Sequence, residues 1–327
     1  MRHQIVIIGA GLSGLAAARL LQQAGLDPLL LDKGRRIGGR CGTRRSKGYL
    51  FNHGAQFITA ASSDFSVFCQ DAVAAGIIAE WDIGRRWKTY VGRPSMRDLP
   101  TWMSGGLNIH QMCEILYITR GTDGAVELTT TTDKIFSADR LIVTAPAPQT
   151  KRLLADVSPH LSTLAHQAQY SPCWTIMAGF DDHLQSLPAF GLDISDMISW
   201  YAVEGSRPGG TADSPGITIQ ASGMWSQKHL EEEADQIAEK IFTEFVSLTG
   251  LSAKPVLLQA HRWRYAKVIS PSIADHSRDD GIFIAGDWCP PETAQTDSGT
   301  PYMPTGSRAE DAFLSGVQAA RAVLGTL

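Results

Sequence analysis

Gln4-Ile5-Val6-Ile7-Ile8-Gly9-Ala10-Gly11-Leu12-Ser13-Gly14 is the stretch that decides the fold. Gln4–Ile8 is a short, β-branched run of the kind that forms a parallel strand buried on both faces. Three glycines follow at G-x-G-x-x-G spacing. The first permits a tight turn, the second lets backbone approach a pyrophosphate, and the third lets a helix pack closely on the strand. Leu15–Gln23, rich in Ala and Leu and ended by Gly25, reads as that helix. Pro28–Leu31 reads as a second strand, closed by Asp32. The spacing predicts a β–α–β nucleotide-binding unit with phosphates at the helix N-terminus and a ribose diol on Asp32. The competing reading, a glycine-rich turn with no ligand, is weak once strand, helix and acid all stand in place.

The rest of the chain supplies an α/β protein around this unit. Its 327 residues correspond to about two domains, and 43% hydrophobic against 19% charged residues gives ample material for a core. The formal charge of −4 argues against nucleic acid or an anionic membrane as the main partner, while leaving room for a local basic pocket. No apolar run reaches the ~18 residues of a membrane span. Arg2 and His3 lead straight into a strand without the longer apolar core of a secretory signal, so a cytoplasmic location is expected. The cysteines Cys41, Cys69, Cys113, Cys173 and Cys289 are scattered and odd in number, which fits reduced thiols and neither a disulfide framework nor a metal site.

Further elements read as follows. Ser62 or Ser63 caps a helix over Phe65–Ala75. Val126–Thr132, Arg140–Thr144, Ile217–Ser222, Val256–Tyr265 and Gly281–Ala285 are strands. Leu230–Leu248 is an amphipathic helix whose start is the acidic run Glu231-Glu232-Glu233, and Ala309–Leu324 is a closing helix. Gly205–Pro215 and Pro290–Gly306 read as loops, the second long enough to be functional. The expected division is a discontinuous cofactor domain over 1–62, 104–150 and 275–327, and a substrate domain over 63–103 and 151–274.

Two features favour FAD over NAD. Gly38-Gly39-Arg40 extends the glycine-rich wall and brings a cation near phosphate. The distant strand Ile282–Ala285, ending in Gly286-Asp287 before a terminal helix, is a return that a simple dehydrogenase domain does not need and an extended flavin does. With Gly9–Gly14 and Asp32, these residues resemble the flavin-containing amine oxidase superfamily. More narrowly the chain resembles renalase, especially its bacterial members. That resemblance rests on Asp32-Lys33, His53-Gly54-Ala55-Gln56-Phe57, Val91–Met96, Ala145–Gln149, Trp225-Ser226, Ala260–Ala266, Gly286–Cys289 and Leu314-Ser315-Gly316 with Ala319-Ala320-Arg321, in family order across nearly the whole chain.

The resemblance implies a Rossmann-like FAD domain with a smaller sheet-plus-helices substrate domain, as in p-hydroxybenzoate-hydroxylase-type flavoproteins. It implies noncovalent FAD, a dihydronicotinamide dinucleotide carrying its hydride at the 2- or 6-position as substrate, and O2 as acceptor. Such a hydride transfer aromatises the substrate without removing a proton from it, so alignment matters more than a base. The cofactor contacts expected on this basis are Gly9, Gly11, Leu12, Ser13, Gly14, Asp32, Lys33, Gly39, Arg40, Gly54, Ala55, Gln56, Ala145, Gly286, Asp287, Glu310, Asp311 and Ala312. Within these, Arg40 would meet phosphate or the flavin edge, and Asp287 the ribityl chain. The N-terminus of the closing helix would face the reduced flavin's negative charge. A small residue usually stands where Asp311 falls, and the Asp311 side chain is expected to point outward. His261 and Gln56 are the candidates for seating the nicotinamide. Phe57, Trp225, Trp263 and Tyr265 are the candidate substrate wall, since His261, Trp263 and Tyr265 alternate onto one strand face. Trp174 and Trp200 are weaker candidates for its roof, and Cys289 for covalent attachment. An amine oxidase, a desaturase on a lipid-like substrate, and a FAD-binding protein without turnover remain as alternatives.

Overall fold

The computed structural model describes residues 2–181, 184, 187–210, 215–272, 278–289, 295, 296, 299 and 306–327. The Gly205–Pro215 loop is thus described in part, and the Pro290–Gly306 loop lies almost wholly outside the described residues.

Strand Arg2–Ile8 forms the middle of a parallel array. It pairs with Leu29–Leu31 on one side (Val6 opposite Leu29) and with Ile135–Val143 on the other (Ile8 opposite Val143). Asn108–His110 flanks the first neighbour and Ile282–Ile284 the second, both parallel. Ile115–Arg120 and Val126–Thr130 add antiparallel strands, so that among the described residues the sheet has eight. Its central strands are buried on both faces, as continuous apolar runs require. One face is covered by the first helix, Leu12–Gln23, and the closing helix, Ala309–Leu324. These two helices meet at Gly316, where a Cβ would lie 2.0 Å from the Ser13 carbonyl oxygen. The other face carries helices Ala147–Leu154 and Pro159–Gln167 through Leu153, Leu154, Leu161 and Ala165. Residues 151–167, grouped by sequence with the substrate domain, therefore pack on the dinucleotide-type sheet.

A second, antiparallel sheet has the order Phe190–Leu192, Ile198–Val203, Gly216–Ala221, Gln169–Gly179, Leu257–Ser270. Alternation sorts its side chains. Ile176, Ala178, Ile217 and Ile219 bury against Ile237, Ile241 and Phe245 of helix Ala234–Thr249 on the back. Trp200, Thr218, His261 and Trp263 face the front. The last strand runs five residues beyond the expected Tyr265, because Gln169–Gly179 pairs with it along nearly its full length through two register shifts. The amphipathic helix starts at Ala234, four residues later than expected. Glu231 turns away to pair with Arg262 and Arg264, Glu232 pairs with Lys240, and Glu233 is the N-cap position. A three-stranded sheet (Ile58–Ala60, Lys88–Gly92, Ile78–Glu80) carries helix Ser63–Ala74, whose first turn is capped by the Ser62 hydroxyl accepting from the Phe65 N–H. Among the described residues no helix is long and apolar enough to cross a membrane, and no metal-ligand cluster occurs.

Candidate functional site

The glycine loop is held ready for an anion. Gly9 has φ +104°, and a Cβ at Gly14 would sit 2.0 Å from the Gly9 carbonyl, so loop and helix touch backbone to backbone. A Cβ at Gly11, by contrast, meets nothing within 4 Å: this position faces open space. The helix that begins here has no side-chain cap, and the Ser13 hydroxyl, 5% exposed, has no hydrogen-bond partner. A buried unpaired hydroxyl beside uncapped N–H groups is costly unless a ligand completes it. Asp32 accepts hydrogen bonds from the N–H groups of Ala10 (2.6 Å) and Gly34 (2.7 Å), which fixes its carboxylate at the strand end beside the loop. Thr144, unmarked in the sequence reading, donates to the Ile8 carbonyl (2.8 Å) and packs under Gly9 and Gly14.

Gly38-Gly39-Arg40 folds back onto this loop. The Gly38 N–H donates to the Ala10 carbonyl at 2.8 Å, and Gly39 takes φ +51° with its Cβ position 3.6 Å from the Gly11 Cα. Arg40 then reaches Asp287 in a bidentate pair, 2.6 and 2.7 Å. The two residues expected at separate parts of the flavin thus bind each other, tying the early and late segments together across one site. Burial disfavours the Arg40 charge, but the adjacent Asp287 carboxylate more than offsets it and raises the Arg40 pKa. Tyr170, whose hydroxyl is pushed up by burial and then by Asp287, lies alongside and meets Tyr265 edge-on at 5.6 Å. Gly54 and Ala55 run against Arg40 and Gly42, with the Ala55 N–H donating to the Arg40 carbonyl at 2.8 Å.

Further along the front of the antiparallel sheet, Trp263 stacks on His53 (5.3 Å) and His261 meets both rings edge-on (4.8 and 4.6 Å). The Trp263 indole N–H donates to the His53 carbonyl at 2.8 Å. Burial, then the neighbouring His261, Arg44 and Arg97, lower the His53 pKa to about 3; burial and then Arg44 lower that of His261 to about 4. Both imidazoles are therefore neutral at physiological pH.

Other expected site residues are placed differently. Gln56 is 5% exposed and its amide is saturated: it donates to the carbonyls of Asn52 and Gly54 and accepts from Trp200 (2.9 Å) and Arg207 (2.5 Å). It is a buried linchpin with no hydrogen-bonding capacity left for a substrate. Arg207 in turn pairs with buried Glu204 (2.8 Å), which accepts from the Asn52 N–H and from Thr218. With Trp200, a roof candidate from the sequence, Asn52, Glu204, Arg207 and Gln220, which donates to the Gly54 carbonyl at 2.8 Å, form a network around Gln56 in which the latter four are not marked by the sequence. Glu204 and Arg207, the charged residues of the 198–210 stretch, are its one available signal. Phe57 packs beside Trp200 at 5.4 Å. Trp225 corrects the expectation of a substrate wall: it stacks on His229 at 4.2 Å on the back of the sheet, packed with the helix side, and Trp174 lies there too.

Lys33 is exposed and bonds Gln149. The Ala145 carbonyl accepts from Trp288 and Thr150. Gly286 N–H donates to Ser315 of the closing helix at 3.0 Å. In that helix Asp311 corrects another expectation: its side chain is fully buried and closes a capping box on the Arg308 N–H. A free first turn would leave that N–H unpaired, and the inward carboxylate satisfies it. Glu310 is equally buried and accepts from the N–H groups of Ala61 (3.0 Å) and Ser62 (2.5 Å), locking the helix to the three-stranded sheet. Ala312, partly buried, follows in the same turn. Cys289 is 3% exposed in a tight turn with Gly286.

Glycine loop, ribose acid, a second glycine wall and a returning Gly-Asp strand define a dinucleotide-binding protein built for a long cofactor. The family model for an NAD(P)-binding Rossmann-like domain matches residues 7–72, and that for flavin containing amine oxidoreductase matches 68–324. The chain belongs to the flavin containing amine oxidoreductase family, a class of FAD-dependent oxidoreductases, and its cofactor is FAD. Among curated relatives, it is 45% identical over 56 residues to a possible lysine-specific histone demethylase 1 from Drosophila melanogaster, covering 17% of this chain and 6% of that one. It is 42% identical over 77 residues to an L-amino-acid oxidase from Siganus canaliculatus, covering 23% and 14%. The chain thus spans only a small part of these relatives' length. Among solved structures, a putative protoporphyrinogen oxidase from Exiguobacterium sp. 255-15 superposes with a TM-score of 0.74 at 15% identity over 99% of both chains. A putrescine oxidase bound to putrescine gives 0.70 at 13% identity, again over 99% of both. At such identities the likeness speaks for the fold. The unpaired Ser13 hydroxyl and the open space at Gly11 fit the cofactor's pyrophosphate, and Asp32 its adenosine ribose.

Proposed function

We propose that the protein is an oxidase with noncovalent FAD, acting in the cytoplasm on 2- or 6-dihydro isomers of NAD(P). The observation that carries this reading is the neutral imidazole pair. Among the described residues on the front of the sheet, His53 and His261 are the groups that could take a proton near neutral pH. Both are held far below it, at about 3 and about 4. A weakly basic imidazole is a poor general base, but beside an indole it makes a flat, uncharged wall against which a dihydropyridine ring can lie. When bound, FAD would supply the two-electron hydride acceptor, with O2 and two protons as the route by which those electrons end in H2O2.

The chain's own residues then have three tasks. Gly9–Gly14 with Ser13, and Asp32, hold the cofactor's pyrophosphate and ribose. The Arg40–Asp287 pair fixes the early and late segments to each other. The Gln56–Arg207–Glu204 network holds the 52–57 segment against the second sheet, so that the substrate ring is confined between fixed surfaces. Confinement of this kind is the main source of rate when no proton has to leave the substrate.

The names of the relatives favour an amine as substrate instead, and an amine oxidase reading is compatible with the family. One anaerobic titration separates the two. Micromolar 2- or 6-dihydro-NAD(P) is expected to bleach the flavin band, and putrescine or other primary amines are not. Bleaching by amines with no response to the dihydronucleotides would overturn the proposal.

A further inference from the structure

The hairpin Arg44–Ser46/Tyr49–Phe51 and the turn before Asp98 bring several arginines to one edge of the histidine–tryptophan wall. Arg44 Nη2 lies 3.4 Å from His261 Nδ1. Arg97 sits next to it in space, its N–H donating to the Thr43 hydroxyl at 3.3 Å and its Cγ lying 3.9 Å from the Cβ position of Gly38. Both flank His53 closely enough to oppose its protonation. Arg36 and Arg45 in turn lie near enough to Arg97 to disfavour its charge.

Among the described residues none of these four guanidinium groups has a carboxylate within salt-bridge distance. Asp98, which favours the Arg97 charge from nearby, has one carboxylate oxygen held by the backbone N–H of Ser95 at 3.0 Å and by the Ser95 hydroxyl. The Nε of Arg97 is buried and unpaired. In a chain of net charge −4, four cations without an ion-pair contact and only partly offset by Asp98 are a local excess that an anion would complete. Arginine forks are also the side chains best matched to phosphate oxygens.

We propose that Arg36, Arg44, Arg45 and Arg97 form an anion-binding rim, beside the His53–His261–Trp263 wall, that takes the pyrophosphate of the substrate. The assignment rests on the dinucleotide substrate proposed above and adds to it where that substrate's charged portion docks. Arg44 reaches the front of the second sheet at His261, whereas Ser13 and Gly11 lie at the glycine loop; Arg97, bordering Gly38, stands between the two.

The test uses the FAD-loaded protein, in which the glycine loop is already filled, and inorganic pyrophosphate as probe in isothermal titration calorimetry. Wild type is expected to bind it. Arg44→Gln and Arg97→Gln should each weaken binding by at least about tenfold, the loss of one charge-assisted hydrogen bond. The exposed Arg36→Gln and Arg45→Gln should weaken it by about two- to fivefold, with loss at high salt. Arg97→Lys, which keeps the charge, should restore part of the affinity, and FAD content reports that each variant has folded. Absence of pyrophosphate binding to wild type, or equal binding by wild type and all four glutamine variants, would overturn the rim. The two proposals fail separately. If dihydronucleotides leave the flavin oxidised while pyrophosphate still binds through these arginines, the substrate assignment falls and the rim stands. If dihydronucleotides bleach wild type and all variants at one KM, the rim falls and the substrate assignment stands.

Discussion

Acidification should destabilise the protein through His53, by an amount the structure sets. His53 is 6% exposed, has an unpaired Nδ1, and is ringed by His261, Arg44 and Arg97. Its folded pKa lies at about 3, against 6.5 for an ordinary imidazole. As pH falls from 7.5, the unfolded chain therefore takes up this proton first, and stability that is complete above about pH 6.5 is lost progressively toward the folded value. Each pH unit in that window is worth about 1.4 kcal/mol per group, so by pH 5 the loss assigned to His53 is about 2 kcal/mol. His261 has the same sign and adds less, because solvent screens it more. The assay is urea unfolding of the wild type and of His53→Gln at pH 7.5 and pH 5.0. Groups common to both cancel, so the variant, though less stable at pH 7.5, should lose about 2 kcal/mol less than wild type between the two pH values. Parallel losses would mean that His53 titrates normally in the folded protein, and would remove the basis for calling the wall uncharged.

Two glycines make an informative contrast. Gly316→Ala would drive a Cβ to 2.0 Å from the Ser13 carbonyl and should destabilise the protein by about 1–3 kcal/mol in urea unfolding. Gly11→Ala meets nothing within 4 Å, so it should fold normally and yet lose at least about tenfold in FAD affinity by fluorescence titration, because the methyl occupies the phosphate's space. Glu204→Gln leaves buried Arg207 without its ion partner and should cost about 3–5 kcal/mol of stability, read as a lower urea midpoint.

The dinucleotide-binding end was legible because its signals are local. Glycine spacing, a strand-ending acid and a helix-stopping Gly25 each act within a few residues, and the closing helix Ala309–Leu324 has the bounds its periodicity predicts. The Glu231–Glu233 run misled because its acids are used across space, on Arg262, Arg264 and Lys240, and not as the first turn of a helix. The front and back of the antiparallel sheet follow from alternation: Trp200 and Trp263 fall in front, Trp174 behind. Trp225, which belongs to no strand, carries no such parity, and the structure sets it behind the sheet with Trp174. Gln56 looked free in sequence because nothing marks that residues more than 140 positions away, Trp200 and Arg207, fill its hydrogen-bonding capacity. Asp311 was expected outward on charge grounds, but the capping of Arg308 draws it in.

The central claim is that the glycine loop and the returning Gly286-Asp287 strand with its helix hold one FAD between them without a covalent bond. Acid precipitation of the FAD-saturated protein tests it directly. The account predicts one flavin per chain, all of it released into a yellow supernatant. A colourless protein that takes up no FAD would contradict the cofactor grip, and a yellow pellet would contradict its noncovalent nature and point to Cys289.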